Sequence, residues 1–290
     1  MIDDMKKILL FALSLLTMCF ASCEKDNENS NNAGNGKLIK TISGYATDFD
    51  ANNGLCISTF EYDAQHRITK VIVSGYNEMY TYEYNGSEII EKFWYAESEW
   101  GFPFNESEMI SGGYVRYVLN DDGYLSRKEE YTGLDEQLYR TSTYIYDNGL
   151  LKKSITDNSD ESTRNRYECS YEWSNNDITR STYIDHAYNS TYLTTYTYGN
   201  EDKGNIMGWY CKDSPWQQID GMPDTYLVFK GMKNKHLIKS MTKHNSSGSI
   251  DSGNSRNFYY QFDADGYVIE TSLEQGGTVA SYNISTVAYY

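Results

Sequence analysis

One short unit recurs along the chain: an alternating aromatic run, a turn of Asp, Asn and Gly, then an aliphatic residue that opens the next run. Copies are Phe60-Glu-Tyr62-Asp63-Ala-Gln-His66-Arg67-Ile68, Tyr82-Glu-Tyr84-Asn85-Gly-Ser-Glu-Ile89 and Tyr117-Val-Leu-Asn120-Asp-Asp-Gly123-Tyr-Leu125. Further copies are Tyr144-Ile-Tyr146-Asp147-Asn-Gly149-Leu-Leu151, Tyr171-Glu-Trp173-Ser-Asn-Asn-Asp-Ile178 and Phe258-Tyr-Tyr260-Gln-Phe262-Asp263-Ala-Asp-Gly266-Tyr-Val268, with a looser one from Tyr196 to Ile206. Each reads as a β-hairpin. In Tyr167-Glu-Cys169-Ser-Tyr171-Glu-Trp173 the rings and the thiol share one face, because side chains in a strand alternate with period two. Asp or Asn starts the turn by bonding its own backbone, and Gly supplies a positive φ. No long stretch after residue 22 has helical spacing of apolar residues.

The runs predict roughly 16–18 antiparallel strands of about 6–8 residues in one meander. A sheet that long curls or closes, which also removes edges that invite aggregation. The expected fold is all-β, a long meander curved or closed into a barrel with a soluble body, in one repetitive domain over residues 37–290. A membrane pore is the minor reading. Spanning strands need about 9–11 residues with an apolar outer face. Tyr belongs at interfacial girdles rather than mid-bilayer, and the mean hydropathy is −0.66.

The amino-terminal end carries a different signal. Lys6 and Lys7 precede an apolar stretch from Ile8 to Phe20, followed by Ala21-Ser22-Cys23. The stretch falls short of the about 20 residues of a spanning helix. The pattern resembles a bacterial lipoprotein signal peptide over residues 1–22, with Cys23 as the lipidated first mature residue. An uncleaved anchor is the lesser alternative. Residues 24–36 hold one Ala and no other apolar side chain, so they read as a flexible tether. Glu24, Asp26 and Glu28 resemble the acidic surface-export signal of Bacteroidota lipoproteins. The expected location is an outer-membrane, lipid-anchored and surface-exposed protein, with a periplasm-facing position as the alternative.

The chain has 25 basic and 41 acidic residues, a net charge of −16. That balance argues against nucleic acid, which is held by Lys and Arg on phosphates. It also argues against anionic headgroups, leaving the lipid anchor as the membrane contact. Tyr is unusually abundant, at 29 against 10 Phe. Its ring packs while its hydroxyl stays wet or bonded, which suits a partly dry sheet interior. Cys56, Cys169 and Cys211 read as buried small side chains, with one disulfide as an open alternative.

Chemistry-bearing patterns are few. His66, His186, His236 and His244 lack metal-ligand spacing, and no cofactor motif is present. Asn120-Asp-Asp-Gly123 and Asp263-Ala-Asp-Gly266 look like fragments of calcium loops, but a hairpin turn accounts for the same residues. Two segments break the repeat: Glu97 to Gly113, with Trp100 and Phe102, and Cys211 to Pro223, with Trp216. Trp100, Phe102 and Trp216 are the candidate ligand-binding residues, since exposed Trp stacks on sugars. The preferred reading is that these loops plug the open ends of the sheet.

The lipobox, the Asn-rich tether and the hairpins resemble a family of Bacteroidota lipoproteins of unknown function, described as a DUF4595-type domain with a porin-like β fold. Lys235-His-Leu-Ile-Lys-Ser followed by Tyr260 to Val268 carries the best match. The hairpin unit is also similar to the tyrosine–aspartate repeats of Rhs-type shell proteins, through Tyr62-Asp63-Ala-Gln-His66-Arg67-Ile68. Neither resemblance supplies catalytic residues. The expected function is a non-enzymatic surface binding module for glycan, or a structural component that binds envelope proteins; a glycoside hydrolase is the remotest reading.

Overall fold

The structure is a computed structural model that describes residues 37–45, 55–96, 105–133, 136–158, 166–200, 219–223 and 225–290. Sixteen strands follow in chain order: β1 Ile39–Tyr45, β2 Leu55–Tyr62, β3 Ile68–Val73, β4 Glu78–Asn85, β5 Glu88–Tyr95, β6 Ile110–Leu119, β7 Leu125–Thr132 and β8 Leu138–Asp147. The second half comprises β9 Leu150–Asn158, β10 Arg166–Ser174, β11 Asp177–Asp185, β12 Ser190–Tyr198, β13 Ile238–His244, β14 Ile250–Phe262, β15 Val268–Gln275 and β16 Thr278–Tyr289. Every strand pairs antiparallel with its sequence neighbours, and β1 pairs with β16, so the meander closes into a barrel. The expected strand number is met at its lower bound. Several strands exceed the expected length, β14 reaching 13 residues and β16 12.

Turn chemistry sets the register. Asn148-Gly149 and Asn175-Asn176 have positive φ at both positions, the geometry that matches strand twist in two-residue hairpins. Longer turns use one device repeatedly. The Asp63 carboxylate accepts the backbone N–H groups of Gln65 and Arg67 at 2.9 Å each. Asn120 does the same for Asp122 and Tyr124, and Asp263 for Asp265 and Tyr267. The calcium-like sequences are therefore turns whose side-chain oxygens bond their own backbone.

These tight turns lie at one barrel end and organise its interior. Each odd strand begins near an inward aliphatic residue: Ile39, Ile68, Ile89, Leu125, Leu151, Ile178, Ile238 and Val268 are all buried. Near the end of six even strands, β6 and β8 excepted, an aromatic donor reaches back to that residue's backbone carbonyl. Tyr62 donates to Ile39 at 2.8 Å, Tyr84 to Ile68 at 2.8 Å and Trp173 Nε1 to Leu151 at 2.7 Å. Tyr198 donates to Ile178 at 2.6 Å, Tyr260 to Ile238 at 2.7 Å and Tyr289 to Val268 at 2.7 Å. The aromatic–turn–aliphatic unit thus closes one hairpin and clamps the preceding strand as well. One layer deeper, Phe60, Tyr82, Tyr117, Tyr144, Tyr171 and Tyr196 form a buried aromatic tier.

A barrel of sixteen strands is wide enough to leave a channel if nothing fills it. Here residues from the connection between β12 and β13 fill it. Ile219, Thr225, Tyr226, Leu227, Phe229 and Met232 are buried at 3 % exposure or less. Tyr226 packs edge-on against Phe60 of β2 and tilts against Tyr80 of β4, while Phe229 meets Tyr117 of β6. Since those strands lie across the barrel from β12 and β13, the segment crosses the lumen. Cys169 is a buried free thiol, and burial pushes it well above its usual range. Cys211 lies outside the described residues.

Candidate functional site in the barrel lumen

The outer wall is built from the other side-chain parity. Glu83 pairs with Lys92 at 2.5 Å, Arg116 with Glu88 and with Glu129 at 3.3 Å, Lys153 with Glu168, and Arg180 with Glu172 at 3.5 Å. These pairs form a charged belt over β4 to β11. The Arg116 guanidinium holds the Glu88 carboxyl below the usual range, and Lys153 does the same for Glu168. Lipid-facing barrel walls carry an apolar band, so this wall faces water.

Inside, the segment crossing the lumen is pinned by specific polar contacts. Glu91 on β5 accepts the hydroxyls of Thr225 at 2.5 Å and Tyr117 at 3.2 Å. Tyr171 of β10 donates to the backbone carbonyl of Asp220 at 2.7 Å. Burial raises the Asp220 carboxyl above its usual range, and Lys243 partly offsets this. The Leu151 N–H donates to the Gly231 carbonyl at 2.8 Å. At the tight-turn end, Asp177 accepts the His236 backbone N–H at 2.8 Å and lies 2.6 Å from its ring Nδ1. The Lys235 N–H reaches Asn176, and Asn234 accepts from Ile178. The segment therefore seals the tight-turn end from within.

Toward the opposite end the inner wall turns polar. Glu130 of β7 lies 3.1 Å from Lys128 and 3.6 Å from Arg140 of β8, and it accepts from the Tyr139 hydroxyl at 3.4 Å. Arg140 Nε donates to Asn158 of β9 at 3.1 Å. Next around the wall stand Tyr167, Tyr183 and Tyr192 on β10, β11 and β12, with centroids 5.8 and 6.1 Å apart. Tyr167 pairs with Thr156, two residues before Asn158 on β9, which sets the rings beside the Arg140–Glu130 group, and burial raises the Tyr167 hydroxyl above its usual range.

The residues that the sequence marks as candidates are only partly brought to this site. Trp100, Phe102, Trp216 and Cys23 lie outside the described residues. Of the segment expected to plug the sheet, residues 219–223 do line the lumen. His66 is an exposed turn residue with φ 61, and His236 and His244 stand at opposite ends of β13. Among the described residues no three His, Cys, Asp or Glu side chains gather as a metal site. Glu91, Lys128, Glu130 and Arg140 were missed. A signal existed: in Ile89-Ile-Glu91-Lys-Phe93, Glu91 occupies the inward parity otherwise held by apolar groups. A charged residue on that parity marks a position where the lumen needs a polar partner.

No family model and no curated protein matches the chain. Solved structures do. The chain is similar to a porin-like protein from Bacteroides vulgatus, with a TM-score of 0.57 and 14% identity over 88% of this chain and 99% of that one. It is likewise similar to a porin-like protein from Bacteroides uniformis, with a TM-score of 0.53 and 17% identity over 87% of this chain and 98% of that one. At these identities the likeness is one of fold: the chain shares the closed, porin-like β-barrel of these proteins.

Proposed function

We propose that this chain is a lipid-anchored protein of the bacterial cell envelope whose barrel works as a non-enzymatic binding module and conducts nothing. The observation that carries the reading is the pairing of a charged outer wall with a lumen occupied by the protein's own chain. A conducting porin needs the reverse, an apolar outside and an open, wet inside. Support for the anchor comes from the lipobox at Cys23 and the tether, and the porin-like likeness fits an envelope protein. The lumen acids have structural work: Glu91 holds the crossing segment and Glu130 is shared between two cations.

Labelling with an alkyne fatty acid tests the anchor. Wild-type protein should take up label in the membrane fraction, and Cys23→Ala should lose it. Planar-bilayer recording tests the body, and no stepwise conductance is expected. Label on Cys23→Ala, or reproducible channel steps, would refute the corresponding half of the reading.

A further inference from the structure

At the sealed end the hydroxyls of Tyr62, Tyr84, Tyr198, Tyr260 and Tyr289 clamp backbone carbonyls, while that of Tyr146 has no partner among the described residues. On the inner wall toward the other end, the hydroxyls of Tyr167, Tyr183 and Tyr192 bond to no group among the described residues, while their rings are half-buried side by side. Packing alone does not require those hydroxyls, since Phe60, Phe93 and Phe258 fill other inward positions of this barrel. Beside the three rings, Glu130 offers an acceptor, Arg140 donors and Asn158 both.

The chemistry narrows the ligand. Among the described side chains around the rings, Lys128, Arg140 and Lys243 balance Glu130, Asp185 and Asp220, so these groups carry no net charge between them. An anion would also meet a chain of net charge −16. An apolar ligand would strip water from these groups and return no hydrogen bonds. A ligand dense in hydroxyls and free of charge satisfies both conditions. We infer that the barrel end opposite the seal binds an uncharged oligosaccharide, held by the hydroxyls of Tyr167, Tyr183 and Tyr192 and by the Glu130–Arg140–Asn158 group. This deepens the binding-module reading and rests on it.

Calorimetric titration of the full chain in detergent tests it. The probes are neutral hexasaccharides of β-1,4-glucose, β-1,4-xylose, β-1,4-mannose and α-1,4-glucose, with hexagalacturonate as the charged counterpart. At least one neutral hexamer should bind. Combining Tyr167→Phe, Tyr183→Phe and Tyr192→Phe should raise its Kd about tenfold or more, a loss of about 1.4 kcal/mol per decade, with Tm unchanged. Arg140→Gln should also raise Kd. Tyr84→Phe with Tyr198→Phe, at the sealed end, should lower Tm and leave Kd alone. The inference is overturned if no neutral hexamer titrates, if only hexagalacturonate binds, or if the triple variant binds as wild type. Cys23 labelling and conductance are read separately, so a failed titration leaves the anchoring and the closed lumen standing.

Discussion

Gly231 has φ +75, and a Cβ there would lie 2.4 Å from the Gly149 carbonyl oxygen and 2.9 Å from the Tyr124 ring. Gly86 has a similar φ of +63 but nothing within 4 Å of its Cβ direction. The pair separates two costs of a side chain. Gly86→Ala should lose about 1 kcal/mol, the left-handed backbone penalty alone. Gly231→Ala should lose that and a further 1–3 kcal/mol or so from overpacking. Urea unfolding midpoints of the two variants check the ordering; equal losses would mean the crossing segment yields freely around Gly231. Glycine is thus a turn residue at one position and a close-approach residue at the other, and the sequence shows only that both are Gly.

The hairpin is the element that repeats, and its clamps should behave as separable parts. Tyr84→Phe and Tyr198→Phe each remove one bonded hydroxyl and should each cost about 0.5–1.5 kcal/mol. β4 and β12 lie eight strands apart around the barrel. The double variant should therefore add to within about 0.5 kcal/mol. Tyr146→Phe should be neutral or stabilising, because that buried hydroxyl has no partner among the described residues. A loss at Tyr146 equal to that at Tyr198 would rule out the clamps as a source of stability. The turns and outer wall also set the acid response. Lys37 holds Asp263 low, Arg116 holds Glu88 low and Lys153 holds Glu168 low. These groups bind fewer protons folded than unfolded, so their stabilisation is complete above the ordinary carboxylate range and is lost as pH falls from that range through their lowered folded values. The urea midpoint should begin to drop below about pH 5 and keep falling past the ordinary carboxylate values of about 4. Asp220, raised by burial, runs the other way and blunts the drop. A midpoint that rises on acidification would show that buried acids outweigh the surface pairs.

Across the whole molecule, closure and filling depend on each other. The inward faces of sixteen strands need more apolar partner surface than they supply to one another, and Ile219, Tyr226, Leu227, Phe229 and Met232 bring it. Replacing 219–237 by a Gly-Ser linker should keep the strand signal in far-UV circular dichroism while lowering Tm by more than 10 °C or so and raising binding of a hydrophobic dye. A variant as stable as wild type and silent to the dye would mean the barrel wall packs on itself.

Much of this could be read from the chain alone. Period-two alternation and Asx-Gly turns are local properties, so strand identity, strand number and hairpin order were legible without tertiary contacts. The seal was only half legible: Pro215 and Pro223 marked a break in the repeat, but nothing local said that the chain would turn inward rather than cap the end. The polar end was hidden for a different reason. Glu130, Arg140, Asn158, Tyr167, Tyr183 and Tyr192 come from six strands spread over more than sixty residues, and a charge on the inward parity gains its meaning only from the side chains that strand pairing sets beside it. By itself, then, the sequence determined a meander of aromatic hairpins, because side-chain alternation and turn geometry act within a few residues. Closure of β1 on β16, filling of the lumen and the join between charges and tyrosines were decided by the tertiary structure, because each depends on groups far apart in the chain that meet only once the strands have paired in register and the sheet has closed.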